Sequence, residues 1–334
     1  MWNAARRQLG ATIVDNAFRT SAWLGTFHPD ARPSRHGLER LHDIAYRSGG
    51  AEAHRLDVYR RVGVGERGSP LPVVFYVHGG GFRFMSKDTH WLMALAFARR
   101  GYVVFTVNYR LASEARYPAA IEDVCAAYAW VREHAATYGG DPDRIVLAGE
   151  SAGANLVAAL MVALCWQRPE PYAAAAFAAG AAPRAVVPAC GVFQVSDQER
   201  FLRRKPRLSR FLADRLEEVE EAYLGMGSEV GHPSLDLADP LVFLERAPAP
   251  DRPLPPCFLP VGTADPLLPD TRRMALALSA LGAPAEAVYY PGEFHAFHAF
   301  AFREGARRCW EDTFHFLDRH GAGFPEPARM PWQR

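Results

Sequence analysis

Lysine is almost missing from this sequence. Lys87 and Lys205 are the only two in 334 residues, and arginine carries the rest of the positive charge. Together with the abundance of alanine, this reads as the codon usage of a GC-rich genome and carries no functional signal. Neither sign of charge is in excess. Lys+Arg 38 against Asp+Glu 37 leaves a formal net charge of +1, and that near balance argues against a nucleic-acid partner unless the charges are badly segregated. Cysteine is scarce and scattered. Cys125, Cys165, Cys190, Cys257 and Cys309 form no CxxC and no zinc-ligand spacing, so buried thiols in a reducing, cytoplasmic setting are expected. Long apolar runs are missing too. Asp15 and Asn16 interrupt the stretch that follows Arg6-Arg7, so no export-signal hydrophobic region forms. The Ala-rich stretch from Ala173 to Gly191 contains Pro183, Arg184 and Pro188, which exclude a membrane span. No stable membrane insertion is expected.

What is present is ordinary globular composition, 49% hydrophobic and 22% charged, at a length that suits one large α/β domain with an added subdomain. Short apolar runs alternate with helical periodicity. Val73 to Val77, Val103 to Val107, Ile145 to Ala148, Phe258 to Val261 and Ala287 to Tyr290 read as strands buried on both faces. Helices are expected from Thr89 to Arg100, Ala119 to about Ala136, Ala152 to Leu164 and Thr271 to Leu281, with a last one carrying Ala306, Trp310, Phe314 and Leu317 on one stripe. Gly139-Gly140-Asp141-Pro142 reads as a turn. This alternation predicts a mostly parallel, doubly wound α/β sheet.

Two segments break the alternation. Residues 1–45, with Trp2, Phe18, Trp23 and Leu24 as apolar anchors, and residues 196–230, charged and helical, are expected to form a cap over the site. The core then comprises residues 46–195 and 231–322, with a tail over 323–334. The basic cluster of Arg203, Arg204, Lys205, Arg207 and Arg210 reads as a solvated helix face, offset by Glu217, Glu218, Glu220 and Glu221.

Two motifs carry the chemistry. Gly149-Glu150-Ser151-Ala152-Gly153 is a G-x-S-x-G between a strand and a helix. A serine on so tight a turn needs small neighbours, and the turn lifts its hydroxyl beside a helix N-terminus that favours negative charge. His78-Gly79-Gly80-Gly81-Phe82 follows a strand and lets the backbone approach a ligand. The lysine and Ser/Thr of a phosphate-binding loop are missing, which leaves an oxyanion hole. Its expected donors are the amides of Gly79, Gly80 and Ala152.

With these two motifs, the chain resembles the hormone-sensitive-lipase-like esterases of the α/β-hydrolase superfamily, bacterial family IV. The resemblance runs from about Pro72 to Phe300. It includes Asn108-Tyr109-Arg110-Leu111-Ala112-Ser113-Glu114, Tyr117-Pro118-Ala119-Ala120 with Asp123, Gly140 to Ile145, Leu254-Pro255-Pro256, Asp265-Pro266-Leu267 and His295-Ala296-Phe297. Ser113 stands where the family usually has proline, and Ala154 where it has glycine; neither touches a reacting atom. The family's chain order implies a triad of Ser151, Asp265 and His295. Asp270 is a rival for the acid, although it sits where a helix N-cap is wanted before Thr271. His298 is a rival for the base. An H-x-x-H pair without the glutamate of HExxH or a third ligand does not make a metal site. Glu150, where the family more often has aspartate, and His78 are expected to brace their loops.

The resemblance implies a cofactor-free, metal-free serine hydrolase of short- to medium-chain esters that works through an acyl-enzyme. Its partner would be a small-molecule ester, and a homodimer is left open. Amide hydrolysis on the same triad is the alternative. A non-catalytic receptor on this fold, like the plant gibberellin receptors, would lack the histidine that this chain keeps.

Overall fold

The computed structural model describes residues 20–64, 69–204, 209–225 and 232–323, together with Gly10, Thr12 and Asn16. Trp2, Phe18, Lys205, Arg207 and nearly all of the expected tail lie outside the described residues.

Eight strands form one sheet among these residues: β1 Leu38–Ala45, β2 Arg55–Arg61, β3 Leu71–Val77, β4 Val103–Val107, β5 Gly140–Glu150, β6 Ala185–Ala189, β7 Cys257–Gly262 and β8 Ala285–Tyr290. Their order is β1-β2-β4-β3-β5-β6-β7-β8. β2 pairs antiparallel with both β1 and β4, and every other pairing is parallel. The expected mostly parallel α/β sheet is therefore present.

Residues 20–26 are helical, and the helices that follow among the described residues are α1 Trp91–Arg100, α2 Ala119–His134, α3 Ala152–Cys165, α4 Pro171–Ala178, α5 Glu199–Arg204, α6 Arg210–Tyr223, α7 Pro240–Leu244, α8 Leu268–Ala280 and α9 Glu304–Arg319. β3 shows why both faces must be covered. Val73, Phe75 and Val77 enter the core with Ile121 and Val124 of α2 and Leu156 and Leu160 of α3. Val74 and Tyr76 point the other way, to Met93 and Phe97 of α1 and Trp310 and Phe314 of α9. That period of two, apolar on both sides, is the signature of a central parallel strand. No helix among the described residues is long and apolar enough to cross a membrane.

Three strands carried no clear sequence signal. β6 is Ala-Val-Val-Pro-Ala, where alanines and Pro188 mask a buried strand. β1 lies inside the segment expected to belong to the cap, so the sheet begins at Leu38, before the boundary at residue 46. β2 pairs with β1 and turns the edge of the sheet antiparallel. The turn expected at Gly139 to Pro142 is shorter than predicted: Gly139, at φ 83°, closes a 3-10 turn and β5 starts at Gly140. α8 starts at Leu268. Asp270 is therefore inside its first turn and is not the N-cap.

Candidate active site

Ser151 stands between β5 and α3 with φ 55° and ψ −117°. A left-handed conformation at a non-glycine residue costs roughly 1–3 kcal/mol and persists only where the surroundings enforce it. Here the flanking glycines do so. A Cβ on Gly149 would lie 2.6 Å from the Gly153 carbonyl oxygen, and one on Gly153 would overlap the carbonyl oxygens of Val77 and His78. Small residues at both positions let the turn press against the end of β3. The serine amide donates to Ala189 O of β6 at 3.0 Å, which fixes the turn from the other side.

The histidine and the acid arrive from the carboxyl ends of neighbouring strands. His295 follows β8, and its Nε2 lies 3.0 Å from Ser151 Oγ. Asp265 follows β7, and its Oδ2 lies 2.9 Å from His295 Nδ1. Asp265 is fully buried, and its other oxygen accepts the Leu267 amide at 2.8 Å. Burial draws the His295 imidazole down, but Asp265 and the sulfur of Cys190 outweigh it and hold His295 well above the ordinary histidine value. The structure thus brings Ser151, His295 and Asp265 together in one hydrogen-bonded line.

The rivals sit elsewhere. Asp270 is buried and pairs with Arg200 Nη2 at 2.7 Å, tying α8 to α5. His298 Nε2 lies 3.2 Å from a Glu150 oxygen. His78 is stacked on Tyr109 with centroids 4.3 Å apart, and Tyr109 Oη donates to His78 O at 3.0 Å. Burial lowers His78 to about 3, so it is a neutral brace.

The glycine loop departs from expectation at one position. The Gly79 amide donates to His90 Nε2 at 3.3 Å and is turned away from the role assigned to it. Among the described residues the amides of Gly80, Gly81 and Ala152 have no hydrogen-bond acceptor. Gly80 (φ 106°) and Gly81 (φ 58°) need the conformational freedom of glycine to turn the loop. α6 closes over this loop. Phe82 stacks on Tyr223 with centroids 3.8 Å apart, Arg83 Nη1 lies 3.2 Å from Glu218 Oε2, and a Cβ on Gly81 would be 3.1 Å from Val219.

Two neighbours of the site leave no mark in the sequence. One is His90, whose partner Gly79 is eleven residues away. The other is Cys190, buried just past β6, whose sulfur, a nitrogen of His295 and an oxygen of Asp265 lie within 4.8 Å of one another. No local spacing announces either one.

The sheet order, the strained serine turn and the Ser-His-Asp line define an α/β hydrolase. The family described as alpha/beta hydrolase fold matches residues 74–299, and the chain belongs to it. The likeness to hormone-sensitive-lipase-like proteins, drawn from the motifs, holds. The carboxylesterase NlhH of Mycobacterium tuberculosis strain H37Rv is 52% identical over 91 residues, 27% of this chain and 28% of that one. This match therefore spans little more than a quarter of that relative's length. Esterase LipQ of the same strain is 30% identical over 322 residues, covering 90% of this chain and 71% of its own. A bacterial heroin esterase superposes with a TM-score of 0.72 at 24% identity over 91% of both chains, which shows the shared fold.

Proposed function

We propose that this protein is a carboxylic ester hydrolase that works through an acyl-enzyme on Ser151. The observation that carries the reading is the unbroken line from Asp265 through His295 to Ser151 Oγ, with links of 2.9 Å and 3.0 Å. A serine hydroxyl is a poor nucleophile at neutral pH. His295 removes its proton during attack on the ester carbonyl and returns it to the leaving alcohol. Asp265 fixes the tautomer with Nδ1 protonated, so that Nε2 faces the serine as a base. The tetrahedral oxyanion is held by the amides of Gly80, Gly81 and Ala152, which stand unpaired beside the nucleophile turn. Water then attacks the acyl-enzyme by the same route, releasing the acid.

The packing of α6 on the glycine loop supports a reading of the acyl length. The Phe82–Tyr223 stack and Val219 pack against the glycine loop, which supports short to medium acyl chains over long ones. The relatives named as carboxylesterase and esterase support ester over amide. Five free, buried cysteines support a cytoplasmic setting.

Hydrolysis of p-nitrophenyl esters from acetyl to palmitoyl, beside an acetanilide, tests the reading. Turnover that peaks at short or medium chains and is slow on the amide is expected. Amide turnover exceeding ester turnover would replace the reading with an amidase, and failure on every acyl group by folded protein would overturn it.

A further inference from the structure

Cys190 takes neither the proton nor the acyl group in that reaction, yet it stands against two residues that do the work. It directly follows β6, and its amide donates to Pro260 O of β7 at 3.0 Å. Its φ of 41° lies in the left-handed region, which a side-chain-bearing residue keeps only where the surroundings enforce it. The backbone under the sulfur is therefore fixed by the sheet, and the residue is fully buried. Among the described residues, one set of three potential metal ligands lies close enough to share an ion. It consists of Cys190 Sγ, a His295 nitrogen and an Asp265 oxygen, all within 4.8 Å of one another.

The donor set suits one class of cation. Thiolate, imidazole and carboxylate are the ligands that zinc takes from proteins, and a thiolate selects such ions over magnesium and calcium. The charges balance as well. Once the thiol has given its proton to solvent, thiolate and carboxylate together neutralise a dication, and the imidazole binds uncharged. Zinc bonds of about 2.0–2.3 Å place such donor atoms roughly 3.3–3.6 Å apart on a tetrahedron. The pair His295 Nδ1 and Asp265 Oδ2, at 2.9 Å, has to widen slightly. The sulfur, no more than 4.8 Å from either partner, has to close by roughly an ångström at most. The His295 side chain is 35% exposed, so a small ion reaches the set from solvent where a bulky thiol reagent does not. Its fourth position is left to water.

We propose that Cys190, His295 and Asp265 form an inhibitory site for a thiophilic divalent cation, zinc being the ion that their chemistry fits. The ion is a reversible inhibitor and not a cofactor, because it takes up the base of the reaction. On Nδ1 it displaces the hydrogen held by Asp265, and the one hydrogen of the neutral ring then sits on Nε2. On Nε2 it occupies the lone pair itself. Either way His295 presents no lone pair to Ser151 Oγ, and the serine proton has no acceptor. One proton, from the Cys190 thiol, is released for each ion bound.

The inhibition rests on His295 serving Ser151, as proposed above, whereas metal binding itself does not, so the two are measured separately. The full chain, stripped with EDTA, is titrated with zinc by calorimetry and with cadmium by the thiolate-to-metal charge-transfer absorption. Labelling of Ser151 by a fluorophosphonate and ester turnover are followed beside them, with magnesium as the control ion. Expected in wild type are one ion per chain, a charge-transfer band, and labelling that falls by about a hundredfold or more at saturation and returns with EDTA. Cys190→Ser, with each rate compared to its own metal-free value, should bind about a hundredfold more weakly and show no band. Zinc uptake without a cadmium band, inhibition equally strong in Cys190→Ser, or equal inhibition by magnesium would overturn the site. If Cys190→Ser does not fold, wild type decides alone. The band and the loss of labelling then have to saturate together at one ion per chain, and a band that saturates with labelling untouched overturns the inhibition. Metal-free wild type that neither labels nor hydrolyses ester, yet shows the band, sinks the nucleophile reading and the inhibition with it and leaves the metal site standing.

Discussion

His295 Nε2 lies 3.0 Å from Ser151 Oγ, although 144 positions of sequence separate the two residues. The sheet makes that meeting possible. β5, β6, β7 and β8 are consecutive neighbours, and the residues that follow their carboxyl ends converge: Ser151, Cys190, Asp265 and His295.

The histidine sets a pH dependence whose sign is fixed by its environment. In the proposed mechanism His295 must be neutral to accept the serine proton, and its value in the folded protein is raised above 6.5. The rate kcat/KM should rise with pH along a limb centred above that value. Stability runs the opposite way. A raised value means that charged His295 adds stability fully present below the unfolded value, near 6.5, and lost as pH climbs through the folded one. Melting temperature should therefore decline over the window in which the rate rises. Asp265→Asn should move the limb down and lower kcat roughly ten-thousandfold. An unmoved limb in that variant, measured as kcat/KM against pH, contradicts the assignment.

Gly153 is where the nucleophile turn touches the end of β3. A side chain there would overlap the backbone oxygens of Val77 and His78, which cannot swing aside. Gly153→Ala should lower stability by about 1–3 kcal/mol and reduce kcat by disturbing both the turn and the glycine loop. Denaturant unfolding measures the first effect. A variant as stable as wild type means that the contact is looser than described.

Acyl length should respond to α6. Val219 lies over Gly81, where an added Cβ would meet it at 3.1 Å, so Val219→Ala removes two methyl groups from the roof. The ratio of hexanoate to acetate turnover should rise by up to about tenfold, the usual scale for a methylene in an apolar pocket. An unchanged ratio would place the acyl chain away from α6.

All five cysteines are free and buried, and burial raises the thiol of Cys165 to about 12. Such thiols are poor nucleophiles. A disulfide-exchange reagent should react with none of them in the native protein and with all five after denaturation. Fast reaction at Cys190, beside His295, would mean that the site opens in solution.

Much of the site was legible because its backbone demands particular residues. A serine at φ 55° needs glycines around it, and a loop that offers free amides needs glycines within it, so G-E-S-A-G and H-G-G-G leave marks that survive in one sequence. Which of the three glycine amides faces the nucleophile was not legible. The run of glycines says only that the loop is open; the approach of His90 from α1 claims the Gly79 amide. Cys190 was invisible for the same reason, since it meets His295 only once β6 and β8 share a sheet. The strands followed a similar rule. β3, β4 and β5 are β-branched runs buried on both faces, whereas β6 is masked by alanine and Pro188, and β1 by its mixture of charged and apolar residues.

The central claim is that Ser151 carries the acyl group. Wild type and Ser151→Ala are mixed with p-nitrophenyl acetate, quenched with acid in the first turnovers, digested and weighed by mass spectrometry. The account predicts an acetyl group on the peptide containing Ser151 in wild type, and neither the adduct nor steady turnover in the variant. An acetyl group on another residue, or undiminished hydrolysis by Ser151→Ala, would contradict it.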